Sequence, residues 1–252
     1  MRLGIISALQ EEQQGLVEAL ERPYKLIHGM REYFLGQLWE IDAVCVLSRI
    51  GKVAAAMTAT TLVEKFGVTH ILFTGVAGAG DKAINVGDIV VAESLVQHDL
   101  DASPLFPQFE VPLTGLTHFL PDHQMSLRLA GAAHDFLEQD FSQAIAASER
   151  DVFRLSGPRV HRGLVASGDQ FISCPEQLGE VNQALPGVMA VEMEGAAVAQ
   201  VCYEMGVPFA VIRTISDNAN ENAATDFMRF VKSVAAQYAF HTVRRFCLAS
   251  VK

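Results

Sequence analysis

The stretch VPFAVIRTISDNA, residues 207–219, sets the reading of the chain. Pro208 to Ile215 is an apolar run rich in β-branched residues, which predicts a buried strand, and Ser216, Asp217 and Asn218 end it with turn-forming polar side chains. Runs of the same kind recur at Leu3 to Ala8, Ile71 to Thr74, Asp88 to Val96, Arg162 to Ser167 and Val188 to Val191. Between them the apolar period changes to that of a helix. Helices are predicted from Gln10 to Glu21, from just after Gly51 to Gly67 through Val53, Ala56, Met57, Thr60, Val63 and Phe66, over residues 123–140, and from Glu194 to Met205. A closing helix of about 25 residues carries Phe227, Phe230, Val231, Val234, Tyr238 and Phe246 on one side. Arg31 to Leu38 and Ile41 to Leu47 read as a hairpin. Strands alternating with helices make an α/β protein with a mostly buried central sheet, and the length fits a single domain over residues 1–252. Only the region from Asp99 to Pro121, with its four prolines, lacks a period. In a compact domain such a segment usually forms a lid or a contact surface.

Half of the 252 residues are hydrophobic and 19% are charged, enough apolar surface for a large core. A formal charge of -10 with no Lys/Arg run argues against a nucleic-acid partner. Cys45, Cys174, Cys202 and Cys247 are scattered without metal-ligand or disulfide spacing, a pattern that fits reduced cytoplasm. The opening apolar stretch is cut short by Glu11 and Glu12, so no signal peptide is expected, and no window is long enough for a bilayer span.

The polar residues gather where strands end, and in open α/β sheets the carboxyl ends of strands border the ligand crevice. Four junctions stand out: Ala8 to Glu12, the GVAGAG run at 75–80, Val191 to Gly195, and Ser216 to Asn218. Each also has a purely structural explanation. Glu12 and Glu194 suit the first turn of a helix, Asp217 suits an Asx-turn, GVAGAG suits a tight turn, and Phe171 suits a core. The combination is harder to explain that way. Arg213 sits on an otherwise apolar strand and Glu192 follows another buried strand. A buried charge costs several kcal/mol unless paired, so an ion pair of Arg213 with a carboxylate inside the crevice accounts for both.

At these residues the chain resembles the 5'-methylthioadenosine/S-adenosylhomocysteine nucleosidases of the nucleoside phosphorylase superfamily. The matching pieces are GIISALQEE at the start, SRIGKVAAA at 48–56, FTGVAGAG at 73–80, VGDIVV at 86–91, SGDQFI at 167–172, AVEMEGAAVAQV at 190–201 and VPFAVIRTISDNA at 207–219. They run nearly end to end, and their order is more specific than any one of them. The resemblance implies an α/β fold with a central mixed β-sheet flanked by helices in one domain, and hydrolysis of an N-glycosidic bond, with Asp217 as the acid that protonates adenine N7 and Glu12 as the base toward the water that attacks C1'. It places the ribose hydroxyls on Glu194, Met193 against the sugar, Phe171 on the purine face, the Ile172 backbone at the purine edge, and Ile50 beside the substrate. Ala77 and Gly78 would let the backbone approach the ligand. Arg213 would help hold Glu12 and the water, and Ser216 would steady Asp217. The resemblance also implies a homodimer in which the 99–113 segment, with Phe106, Phe109 and Pro112, covers the 5'-alkylthio group near the partner's site. It implies no metal or redox cofactor.

Two departures from the family pattern stand in these motifs. Val76 replaces the serine of the family's TGSAGG loop, removing a hydroxyl from the neighbourhood of the water, and Arg49 replaces the first glycine of SGIGK. A phosphorylase would use phosphate in place of water and surround it with several arginines. Here only Arg49 and Arg213 are available, and Glu11 and Glu12 would repel the anion. A non-catalytic binding or storage relative should have lost some of the acids, yet Glu12, Glu194 and Asp217 are all present.

Overall fold

The computed structural model describes residues 1–219 and 223–250. The chain forms, in order, β1 (Arg2–Ser7), α1 (Gln10–Glu18), β2 (Glu21–His28), β3 (Arg31–Leu38), β4 (Ile41–Leu47), α2 (Lys52–Glu64), β5 (His70–Ala79) and β6 (Ile89–Gln97). After the irregular segment come α3 (His123–Asp135), a π turn (Phe136–Asp140), α4 (Phe141–Ala144), α5 (Ala147–Val152), β7 (Val160–Ser167), α6 (Pro175–Ala184) and β8 (Val188–Glu192). Then follow α7 (Gly195–Met205), β9 (Phe209–Asp217), α8 (Ala223–Phe230), a second π turn (Val231–Ala235) and α9 (Ala236–Ser250).

The nine strands of the described residues form one mixed sheet, in the α/β architecture expected from the alternation. β5, β9, β6, β7 and β8 pair in a closed ring, because β8 returns to pair with the far end of β5. From β5 the sheet continues through β1, β4 and β3 to β2. The bend that closes the ring lies in the GVAGAG run, where the pairing of β5 with β9 is interrupted between Ala77 and Gly78. At Gly78 and Ala79 the strand pairs with Val191 and Ala190. A side chain on Gly80 would lie 2.6 Å from the Val188 carbonyl, so only glycine permits this approach. The run is therefore strand through Ala79, where the sequence suggested a strand ending at Thr74.

Every residue of β9 is buried, which explains its unbroken apolar character. One face of the sheet packs under α1, α3 and α9 through Leu16, Leu129, Phe136 and Phe246. The opposite face packs under α2 and α7 through Ala59, Leu62, Val198 and Cys202. The hairpin, β1 and the strand β7 fall within a residue or two of their expected bounds. α1 stops at Glu18 where the sequence suggested Glu21, because Glu21 enters β2 and pairs with Gln37. Among the described residues no helix is long and apolar enough to cross a membrane.

Candidate active site

A cleft opens over the ends of β1, β5, β8 and β9, lined by Ala8, Leu9, Glu12, Ile50, Val76 to Gly78, Gln170 to Ile172, Val191 to Glu194, Asp217 and Phe227. It encloses about 130 Å³. A larger depression of about 410 Å³ lies over α1 and β3, but none of Glu12, Glu194 and Asp217 lines it. Four carboxylates, these three and Glu192, gathered around apolar walls are the stronger mark of a reactive site.

Glu12 is brought into the cleft by the turn from β1 into α1. It occupies the third position of α1 and folds back, so that Oε2 accepts the Ala8 and Leu9 N–H groups at 3.0 and 2.9 Å. This is one half of a capping box, and it satisfies amides at a helix end whose N-cap, Leu9, has no acceptor of its own. Oε1 accepts the Val76 N–H at 3.0 Å. Gly75 lies close beside it, where an added Cβ would stand 3.2 Å from Oε1 and push the carboxylate by a few tenths of an ångström. The structural and chemical readings of Glu12 thus describe one side chain.

Asp217 ends β9 and shows the same double character. Its Oδ1 accepts the Ala219 N–H at 2.9 Å in an Asx-turn, while Oδ2 accepts the Ser216 hydroxyl at 2.8 Å. Gly78 faces it closely, and a Cβ there would lie 3.1 Å from Oδ1 and crowd the carboxylate.

Glu194 caps α7 by position, and its Oε1 accepts the Gly51 N–H at 2.8 Å. Two residues earlier, Glu192 is saturated. It takes the fork of Arg213, Nε at 3.2 Å and Nη2 at 2.6 Å, together with the Glu194 and Gly195 N–H groups and the Ser167 hydroxyl. Arg213 is the buried cation expected from the sequence, 1% exposed, and Glu192 is the carboxylate that pairs with it. It also lies over the Phe73 ring, 4.0 Å from its centroid, and donates from Nη1 to the Ile212 carbonyl. No hydrogen bond joins it to Glu12, and its side chain stands behind the cleft wall rather than in it, as does that of Ser216. Arg213 acts on Glu12 here through its charge, with three of its five N–H donors bound to Glu192 and Ile212.

Burial pushes three of the four cleft acids toward the protonated form. It raises the pKa of Glu12, against the pull of the Leu9 N–H, the Arg213 charge and the Val76 and Ala8 N–H groups. Burial, reinforced by the Glu192 charge, raises Glu194 to about 8. Burial also raises Asp217, opposed by the Ser216 hydroxyl and the Ala219 N–H. Glu12 has three backbone donors and a nearby cation, and Asp217 has one backbone donor and one hydroxyl. Of the two, Asp217 is the better placed to hold a proton.

The remaining expected residues fall around these acids. Phe171 is 40% exposed and meets Phe227 edge to face, with ring centroids 5.7 Å apart. Ile172 is buried, Met193, Ala77 and Gly78 line the floor, and Ile50 stands at the mouth. Sequence reasoning missed Leu9, Gln170 and the inward role of Phe227, which the helical period presents only as one more apolar position. Val76 lines the cleft with an isopropyl group where a hydroxyl was expected from the family pattern. Arg49 does not reach the cleft. It turns through a positive φ of 67°, donates to the Met30 carbonyl at 2.5 Å and lines the neighbouring depression. Among the described residues no group of three His, Cys, Asp or Glu is placed to hold a metal ion.

Known proteins match this chain over nearly its whole length. The profile of the phosphorylase superfamily matches residues 2–247. A 5'-methylthioadenosine/S-adenosylhomocysteine nucleosidase of Shewanella halifaxensis is 34% identical over 231 residues, 92% of each chain. The crystal structure of the Neisseria meningitidis nucleosidase of that name, in complex with methylthio-immucillin-A, superposes with a TM-score of 0.86 at 30% identity, covering 98% of this chain and 99% of that one. The Colwellia psychrerythraea nucleosidase, in complex with adenine, superposes with a TM-score of 0.84 at 33% identity, covering 98% and 94%.

Proposed function

The chain belongs to the 5'-methylthioadenosine/S-adenosylhomocysteine nucleosidases of the phosphorylase superfamily, and on that premise we propose how its own residues perform the reaction. It is an N-glycosyl hydrolase that releases adenine from 5'-methylthioadenosine and S-adenosylhomocysteine. Asp217, protonated in the resting cleft, gives its proton to adenine N7 as the bond from C1' to N9 breaks and its electron pair moves onto the base. Positive charge develops on the ribosyl C1' and ring oxygen. Water adds to C1' and Glu12 takes its proton, leaving Asp217 ionised and Glu12 protonated until solvent resets them. Glu194 accepts hydrogen bonds from the ribose hydroxyls, and its spare lone pairs suit that task. Phe171 offers its face to the purine, and Met193 packs on the sugar.

The observation that carries this assignment is the meeting of Glu12, Glu194 and Asp217, all at most 6% exposed, in one cleft beside an aromatic ring. Water rather than phosphate is favoured as the nucleophile, because no lysine or arginine is found among the described residues lining the cleft. Incubating the purified chain with methylthioadenosine tests both points. Adenine release independent of phosphate is expected. Strict dependence on phosphate would make the protein a phosphorylase, and no release would make it a binding relative.

We further infer a homodimer in which the 99–113 segment of one copy adjoins the cleft of the other. Ile50, Leu105 and Leu113 support it, being apolar and 56, 84 and 92% exposed. Sedimentation at micromolar concentration tests it, a dimer being expected and a monomer contradicting it. The four free cysteines accord with a cytoplasmic protein.

A further inference from the structure

Helix α2 begins without a cap of its own. Its N-cap is Gly51, and no acid stands in its first turn. Its first amides are nonetheless satisfied, by carboxylates distant in the chain. The Gly51 N–H donates to Glu194 Oε1 and the Lys52 N–H to Asp169 Oδ1, each at 2.8 Å, across 143 and 117 residues. Two carboxyl groups thus share the positive end of one helix on consecutive amides, which fixes their separation. Gly51 makes this possible, with φ at 96° and a Cβ position only 3.1 Å from Asp169 Oδ1.

Asp169 is held at a second point. Its N–H donates to Asp99 Oδ2 at 2.8 Å, and Asp99 Oδ1 accepts from Lys52 Nζ at 2.5 Å. A ring is closed: Lys52 amide to Asp169 carboxylate, Asp169 amide to Asp99 carboxylate, Asp99 carboxylate to Lys52 ammonium. The Lys52 and Asp99 side chains are only 15 and 21% exposed, so salt screens them less than an open surface pair. Burial by itself would raise the Asp99 pKa. The Lys52 ammonium and the Asp169 N–H more than reverse it, holding the carboxyl below its usual range and charged at neutral pH. None of the three side chains lines the cleft. Yet Asp169 stands two residues before Phe171 and three before Ile172, and Lys52 follows the amide that grips Glu194.

We propose that Lys52, Asp99 and Asp169 are positioning residues that set the span between the ribose carboxylate, Glu194, and the purine platform of Phe171 and Ile172. The inference rests on the nucleosidase reading of the cleft. A ligand that touches only one end of the span is indifferent to it, whereas a nucleoside, which must reach both, is not.

The test uses the full chain and compares the KM for methylthioadenosine with the inhibition constant of free adenine. Asp99→Asn keeps an acceptor for the Asp169 N–H and removes the charge opposite Lys52. Lys52→Met removes the ammonium and leaves both carboxylates bonded to backbone amides, so it reads the same span should Asp99→Asn fold poorly. In either variant the KM for the nucleoside rises about tenfold while the adenine constant stays within about twofold, and Lys52→Arg restores the wild-type KM to within about twofold. Adenine and nucleoside constants that rise together, that both stay unchanged, or that split without rescue by arginine would overturn the positioning role alone. A wild-type chain that releases no adenine would overturn the nucleosidase reading and the positioning role with it.

Discussion

The two walls of the cleft that carry Glu12 and Asp217 are alike in burial and unlike in hydrogen bonding. Each acid is 2% exposed. On the β1 side, Glu12 is gripped by three backbone N–H groups with the Arg213 charge nearby. At the end of β9, Asp217 has one backbone N–H and one hydroxyl. An ionised carboxylate only accepts hydrogen bonds, so the wall richer in donors suits the base and the poorer one suits the acid. In the proposed mechanism, acid and base therefore differ in how many amides the fold turns toward each carboxyl rather than in how deeply it buries them.

Substitutions on the two walls sharpen or break this division. Asp217→Asn keeps a hydrogen bond to N7 but has no proton to give, so kcat falls by about 10⁴-fold while KM changes little. Turnover close to wild type in a folded variant would remove Asp217 from the role of acid. Glu12→Gln retains much of the backbone grip but cannot accept a proton, and the expected loss in kcat is about 10²- to 10³-fold, measured as adenine release. A loss on the β1 side larger than that at Asp217 would reverse the assigned weights of the two walls.

A third carboxylate sharpens the contrast through stability. Glu194 accepts a single amide, has its pKa pushed up to about 8, and so retains a proton in the folded chain that the unfolded chain gives up near its ordinary value of 4.5. Folding stability therefore falls as pH climbs between those two values. Glu194→Gln escapes this loss and raises the melting temperature of the ligand-free protein by about 2–4 °C at pH 9 with little change at pH 5, the shift expected of about 1 kcal/mol. An equal shift at both pH values would show that Glu194 does not titrate in this window. The smallest effect is expected from Ser216→Ala. It removes a donor that stabilises ionised Asp217, so the Asp217 pKa rises further and the alkaline limb of the rate profile moves upward. A downward movement would mean that the hydroxyl favours the protonated acid.

The sequence displays these walls unevenly. β9 and β1 are legible because burial on both faces forces an unbroken apolar run, and α2 and α7 because one face is apolar at helical spacing. β2 is not, since only Leu26 of its eight residues is more than superficially sheltered and an edge strand has no buried face to write a period. α6 likewise buries only Val181. The cleft acids are visible as charges at strand ends, yet Glu12, Asp217 and Glu194 each also serve as a local cap or turn. Their chemistry emerges only from their convergence, which spacing along the chain does not contain. The choice of Glu192 over Glu12 as the partner of Arg213 is likewise set by packing between β8 and β9, not by sequence distance.

The central claim is that solvent, admitted beside Glu12, replaces a base protonated by Asp217. Hydrolysis of methylthioadenosine in ¹⁸O-labelled water, with phosphate present, tests it most directly by mass spectrometry of the sugar released. One labelled oxygen at C1 of the free methylthioribose is the predicted result. A ribosyl 1-phosphate carrying no label would contradict it.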